Sequence, residues 1–365
     1  MPPVWKPLSK PIRLEEDAGE YFRDPNAARF SEYPLEPAVR ALLAQNLNLS
    51  IEGIDIFACG STLGNLLRFV RDIDKPFRFT VEVVGRTVFF VRRENSPDEK
   101  IIGVRGYGHS FPDRYTRWET AVKGSASHQR LVSYTFAGLK CIVRFEGDGY
   151  LDDKLQQPLD ERKPQPLPAL ESLTVKIGGR KIPQHAIFDL KTRSAKRKED
   201  DILSGELPRL WIAQIPHLVL AFHERGVFND IRVQNVQKEV RDWERENADF
   251  LRRLGAVIHE IVELVRASPD GKCEVRCRER GILEVRHQLR DAARPLCDSL
   301  RRIWACEETI SDSEESDASG GAYASSQSGQ HSDDGVDLAT FSDEESEKDY
   351  TACSEDCGYC GRCVY

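Results

Sequence analysis

The stretch from Phe77 to Arg93 reads FRFTVEVVGRTVFFVRR, with β-branched and aromatic residues alternating on either side of Val84-Gly85-Arg86-Thr87. Such residues suit a pleated, half-buried surface, and a glycine at the centre supplies the backbone freedom that a tight hairpin turn needs. A hairpin here commits the chain to antiparallel pairing, and the flanking segments repeat the theme. A second hairpin pattern, CEVRCRERGILEVRH (Cys273 to His287), turns at Glu279-Arg280-Gly281. Further strands are predicted over Leu131 to Phe136, Lys140 to Asp148 and His185 to Thr192, and a strand and turn over His217 to Phe228. Helical spacing marks Pro34 to Gln45, Leu207 to Ile215, and one long helix from about Val236 to Arg266 whose apolar face carries Trp243, Leu254, Ile258 and Val265. No internal repeat is visible. The pattern predicts an α+β fold with mixed, largely antiparallel sheets flanked by helices, in a single catalytic-type domain and not a doubly wound sheet.

Charge divides the chain. Its formal net charge is −8, yet 16 of the 60 acidic residues and only 2 of the 52 basic ones fall in 307–365, so the body is about +6 and the tail −14. A mildly basic body suits a polyanionic ligand without demanding one. Residues 307–349 are Ser, Asp, Glu and Gly with almost nothing to bury, and a disordered acidic tail is predicted there. Its SDSEES and SDEESE runs offer serines to acidophilic kinases; a merely solubilising tail is the plain alternative. The predicted organisation is an N-terminal extension (1–23), an α+β domain (24–306) with a Pro-rich insertion (154–170), the acidic tail (307–349) and a Cys-rich end (350–365). No run approaches the roughly eighteen apolar residues of a membrane span. A soluble intracellular protein, nuclear or cytoplasmic, is the expectation.

Chemistry concentrates on two strands. Glu146 and Asp148 stand two apart, as do Asp189 and Lys191, and residues two apart on a strand share a face. Carboxylates converging in this way hold one or two divalent cations, Mg or Mn before Zn because the donors are hard oxygens, and a lysine beside them orients an attacking water. A salt bridge at a strand end explains the same residues without function.

In order along the chain, these elements resemble the DXO family of decapping exonucleases. Glu146-Gly147-Asp148 looks like the family's E-x-D element. Phe188-Asp189-Leu190-Lys191-Thr192 is similar to its E-apolar-K-T element with Asp for Glu, and Trp211-Ile212-Ala213-Gln214 resembles its glutamine-bearing helix. The resemblance spans roughly Asp24 to Gln288. It implies a divalent-metal-dependent hydrolase of RNA 5′ ends, of decapping or pyrophosphohydrolase type. Its metal ligands would be Glu146, Asp148 and Asp189, with Lys191 on the water and Gln214 touching substrate. It further implies a 5′ to 3′ exoribonuclease as protein partner. Two motifs depart from the family. Pro112 stands where a ligand glutamate is expected, with Asp113 beside it, and Leu63-Gly64 replaces an Arg-bearing element, with Arg68 and Arg71 near. These departures define the alternative: a catalytically degenerate module of the same fold that binds RNA or a protein.

Other candidates carry less. KTRSAKRK (Lys191 to Lys198) reads as a phosphate grip, an import signal or a solvated loop. His109, His128, His217 and His223 lack pairwise metal spacing, and Gly60 to Gly64 lacks the Lys and Ser/Thr of a P-loop. Cys353, Cys357, Cys360 and Cys363 have spacings compatible with Zn or an iron–sulfur cluster, with redox chemistry or no role as alternatives. Neither Asp152-Asp153 nor Asp200-Asp201 completes the aspartate-rich box of a prenyl diphosphate synthase, and the chain is rich in strands where that fold is helical.

Overall fold

A computed structural model describes residues 1–46, 49–155, 173, 175–176, 178–290 and 292–306. The acidic tail, the Cys-rich end with its four thiols, and nearly all of the Pro-rich insertion lie outside the described residues.

The chain opens with β1 (Val4–Trp5), β2 (Glu20–Phe22), α1 (Pro25–Arg29) and α2 (Glu36–Gln45). β3 (Ile56–Cys59) and α3 (Gly60–Val70) lead to the hairpin β4 (Phe77–Val84) and β5 (Thr87–Arg92), then β6 (Lys100–Ile102), α4 (Ser110–Tyr115) and β7 (Thr116–Arg117). Next come β8 (Gln129–Phe136), β9 (Leu139–Glu146), β10 (Gly149–Tyr150), β11 (Ile187–Ser194) and α5 (Ile202–Ala213). The rest is β12 (His217–Glu224), β13 (Val227–Asn235), α6 (Gln237–Glu246), α7 (Ala248–Ala267), β14 (Lys272–Cys277), β15 (Glu284–Arg286) and α8 (Asp298–Ala305).

These strands form a six-stranded sheet in the order β13-β12-β11-β10-β1-β7, a seven-stranded sheet β15-β14-β4-β5-β3-β9-β8, and the pair β2-β6. Most ladders are antiparallel; β11 runs parallel to β12, β1 to β10, and β3 to both β5 and β9. The fold is α+β with mixed sheets. The predicted hairpin is present, with Val84 paired to Thr87 across the turn.

Period-two alternation decides what each sheet face covers. From β3, Ile56 and Ala58 join α3, α5 and α7 in one core, while Phe57 and Cys59 face α2 and α8 in another. Helix α5 spans the two sheets. Its Leu210 and Ala213 lie in the core of the six-stranded sheet with Ile187, Leu218 and Leu220, and its Leu207, Trp211 and Ile212 lie in the core of the seven-stranded one.

Two boundaries differ from expectation. Residues 1–23 are no extension: β1 sits inside the six-stranded sheet between β10 and β7, and β2 pairs with β6. A two-residue strand carries no detectable periodicity, so only its pairing partners reveal it. The long helix is two helices, broken at Asn247, whose side-chain amide donates to the Trp243 carbonyl at 2.8 Å. Asparagine offers the backbone such an alternative to the helical ladder.

Candidate functional site

The strand β9 closes at Glu146 in the seven-stranded sheet, and the chain crosses through Gly147 and Asp148 to β10 in the six-stranded one. Glu146 and Asp148 therefore flank the seam between two sheets and do not share one strand face, as the simple two-apart rule predicted. Asp148 is anchored by the backbone N–H of Leu190, which donates to its Oδ2 at 2.7 Å, so the crossover is stitched directly onto β11.

On β11 the alternation holds. Phe188 and Leu190 lie in the core that contains α4, whereas Ile187 lies in the core that contains α5. Asp189 and Lys191 share the Ile187 face and so look towards α5. That helix starts at Asp201, whose carboxylate accepts from the Ser204 N–H, and it presents Glu206 and Arg209, three apart, on one side. Arg209 places its two terminal nitrogens on the two oxygens of Asp189, with Nη2 to Oδ1 at 2.5 Å. It also donates to Glu206 Oε2 from Nη2 at 2.9 Å and from Nε at 3.2 Å. Arg193 reaches the other Glu206 oxygen at 3.3 Å. A fork-to-fork guanidinium–carboxylate pair is among the strongest and most directional of protein hydrogen bonds.

The electrostatics follow from burial and crowding. Burial and the charge of Asp189 push the Asp148 carboxyl up to about 8, against the pull of Arg209 and the Leu190 N–H. Glu146 is pushed up by burial and by Asp24 and Asp189, against the pull of Arg144. Glu146, the last residue of β9, nevertheless keeps an exposed residue surface, so the crowding acts on a group at the protein surface. For Glu206, Lys191, Arg209 and Arg193 overcome the cost of burial and hold the carboxyl below its usual range. Burial acts against the charge of Arg209, but Asp189 and Glu206 outweigh it and hold the guanidinium firmly protonated.

The predicted residues are thus placed as follows. Glu146, Asp148, Asp189 and Lys191 belong to one electrostatic neighbourhood at the seam. Gln214 ends α5 in the left-handed conformation and turns its amide onto the Trp211 carbonyl at 2.5 Å. Pro112 lies in α4, where its carbonyl accepts from the Thr116 hydroxyl at 2.8 Å, and Asp113 beside it is exposed. Sequence reading missed Glu206, Arg209, Asp24 and Arg144. Asp24 caps α1, accepting from the Asn26 and Ala27 N–H groups at 3.0 Å, and Arg144 is buried against Cys59 and the Pro34 carbonyl. Glu206-x-x-Arg209 is a spacing common on helix surfaces and gave no signal of its own.

These residues do not fit a divalent ion as they stand. Such an ion takes about six oxygens, most of them from carboxylates, carbonyls and water. Both Asp189 oxygens already face a guanidinium, one Asp148 oxygen faces a backbone N–H, and Glu206 is engaged by two arginines. Among the described residues, no three His, Cys, Asp or Glu side chains are grouped so as to hold a metal ion.

Two sheets joined by this crossover, with α5 across them, are the fold of the DXO family. A crystal structure of Rai1 from Scheffersomyces stipitis, in complex with (3′-NADP)+ and calcium ion, matches with a TM-score of 0.52 at 14% identity, covering 83% of this chain and 88% of that one. A second crystal structure of the same protein matches at a TM-score of 0.51 and 13% identity, over 83% and 89% of the two chains. Residues 1–286 match the family described as a domain of unknown function, DUF8563, and the chain belongs to that family. No curated protein matches it. Among the described residues, no helix is long and apolar enough to cross a membrane.

Proposed function

We propose that this chain is a DXO-fold module that recognises RNA 5′ ends at the seam of its two sheets, and holds them without metal-dependent hydrolysis. The observation that carries this reading is the commitment of the Asp189 and Glu206 carboxylates to Arg209. With those carboxylates countered by Arg209 and Arg193, Lys191 adds a further positive charge on the same face of β11, on a body that is about +6 outside the acidic tail. The cation on the Asp189 face suits a phosphate. The nucleotide held by the S. stipitis protein of the same fold supports a nucleotide-bearing ligand here.

A second reading has one observation in its favour. Burial and the neighbouring charge of Asp189 push both the Glu146 and the Asp148 carboxyls up, a penalty that a dication would relieve. On this reading the chain is a Mg- or Mn-dependent hydrolase of RNA 5′ ends with Glu146, Asp148 and Asp189 as ligands, and Arg209 must leave Asp189 for it to work. One experiment separates the two. Fluorescence anisotropy with a short 5′-phosphorylated RNA should give the same affinity in EDTA and in Mn2+, weaker for the 5′-hydroxyl RNA, with the RNA recovered intact. Rapid Mn2+-dependent cleavage would establish the hydrolase instead. An exoribonuclease partner remains a proposal of the same kind, tested by co-purification with such an enzyme.

A further inference from the structure

Arg209 bridges two carboxylates from different elements, Asp189 on β11 and Glu206 on its own helix. Its guanidinium touches both oxygens of Asp189, whose side chain is 1% exposed, and one oxygen of Glu206. Two carboxylates converge on one centre of positive charge, and that centre is delivered by α5 of the same chain.

We propose that Arg209 is a built-in cation occupying the seat of a divalent ion between Asp189 and Glu206, so that removing its guanidinium uncovers a metal site. Physical chemistry supports the substitution in three ways. First, an arginine remains charged at every accessible pH, so it neutralises the buried carboxylates permanently, whereas a dissociable ion does so only when bound. Second, its planar fork satisfies the oxygens of Asp189 in the directions in which a cation would be coordinated. Third, bringing a dication next to an intact guanidinium adds like-charge repulsion, so the two occupants exclude one another. With Arg209 gone, Asp189 becomes a buried carboxylate lacking its main counter-charge, which must then take up a proton or a cation.

This inference rests on the binding reading above, and the two fail separately: RNA retention is measured on the parent in EDTA, metal uptake on variants without RNA. The probe is Mn2+ alone, followed by loss of the free-ion EPR signal and by the thermal midpoint with and without EDTA. Arg209→Gln should take up one Mn2+ at least about tenfold more tightly than the parent and gain a midpoint shift of several degrees in saturating Mn2+. The parent should show neither effect. Arg209→Lys, which keeps a positive charge, should stay close to the parent, and the double variant Arg209→Gln/Asp189→Asn should fold without responding to metal. Should Arg209→Gln fold only when Mn2+ is present, the seat is confirmed by rescue. Uptake of Mn2+ by the parent equal to that of Arg209→Gln overturns the inference. So does an Arg209→Gln protein that ignores Mn2+, or one that folds in neither buffer, because Arg209 is then an ordinary structural ion pair.

Discussion

Trp304 donates its indole N–H to the Thr87 hydroxyl at 3.0 Å, and that hydroxyl donates onward to the Ile54 carbonyl at 2.8 Å. The relay fixes α8 against the turn end of the β4–β5 hairpin. The indole ring also meets Phe57 and Phe89 edge-on, with centroids 6.0 and 5.6 Å away. Gly85 permits the approach: it has a φ of +60°, and a Cβ there would lie 3.0 Å from the Ala305 backbone. Thus α8, which lies beyond the residues matched by the family, completes the core on one face of the seven-stranded sheet.

Trp304→Ala should therefore cost about 3–5 kcal/mol, through a cavity in a fully buried site and the loss of the N–H that the Thr87 hydroxyl accepts. Trp304→Phe should lose less, mainly the hydrogen bond. Urea unfolding read by fluorescence of the remaining tryptophans tests both. Removing residues 307–365, whose composition offers no core, should leave the thermal midpoint within a few degrees; an equal loss on that truncation would mean that the helix needs the chain beyond it.

Asp189→Ala should destabilise the fold by about 3 kcal/mol, toward the lower end for breaking a buried pair because Arg209 keeps solvent access and Glu206 as partner. Replacing both partners, Arg209→Leu with Asp189→Leu, should restore most of that loss, since two apolar side chains need no counter-charge. Chemical denaturation of the two single variants and the double closes a mutant cycle. A coupling energy near zero would mean that the fork contributes nothing to folding.

Two buried histidines set an acid limb. Burial, reinforced by the Met1 amino group and Arg130, pulls His128 down to about 3, and burial pulls His223 down to about 4. In the unfolded chain both protonate near 6.5. Between about 6.5 and 4 the unfolded state binds more protons, so these groups stabilise the fold above that window, and the stabilisation is lost as pH falls, by about 1.4 kcal/mol per pH unit for each. Asp148, pushed up to about 8, acts in the opposite sense: its folded form binds the extra proton between about 4 and 8, so its contribution weakens as pH rises. A difference measurement isolates the histidine term. His223→Phe, set among Tyr107 and Phe228, should unfold at the same midpoint as the parent near neutrality within a few degrees and lose less stability between pH 6 and pH 4.5, both roughly chosen to bracket the window. Parallel pH curves for the two proteins would show that His223 is protonated in the folded state.

What could be read from the sequence depended on how far a signal extends along the chain. The β4–β5 hairpin was legible because alternation runs unbroken through both strands and stops at Gly85. Strand β1 was not, since Val4 and Trp5 are strand only because β10 and β7 flank them. The break at Asn247 was hidden because the apolar spacing continues across it from Trp243 to Leu251. At the site, Asp189 and Lys191 were legible as one face of a strand, and that face is the one α5 covers. Glu146 and Asp148 were misjudged as strand neighbours because the chain changes sheets between them. Arg209 was illegible in principle: Glu-x-x-Arg is an ordinary surface pattern on helices, and only the docking of α5 through Leu210 and Ala213 turns it onto β11.

Lys191 provides the last test, because it shares the Asp189 face and its charge reaches both Asp148 and Glu206. If an RNA 5′ phosphate is held at this seam, Lys191→Ala should weaken binding of 5′-phosphorylated RNA in EDTA. It should also flatten the dependence of log K on log salt by about 0.7, the release of one counterion from a single strand. The loss should be much smaller for 5′-hydroxyl RNA. Lys238 serves as the control: it lies on the exposed side of α6, 79% accessible and paired with Asp242, and Lys238→Ala should change neither affinity nor slope. Equal losses from the two variants would mean that the RNA responds only to overall charge. No loss from Lys191→Ala would move the ligand away from the β11 face and overturn the proposal that this seam reads RNA ends.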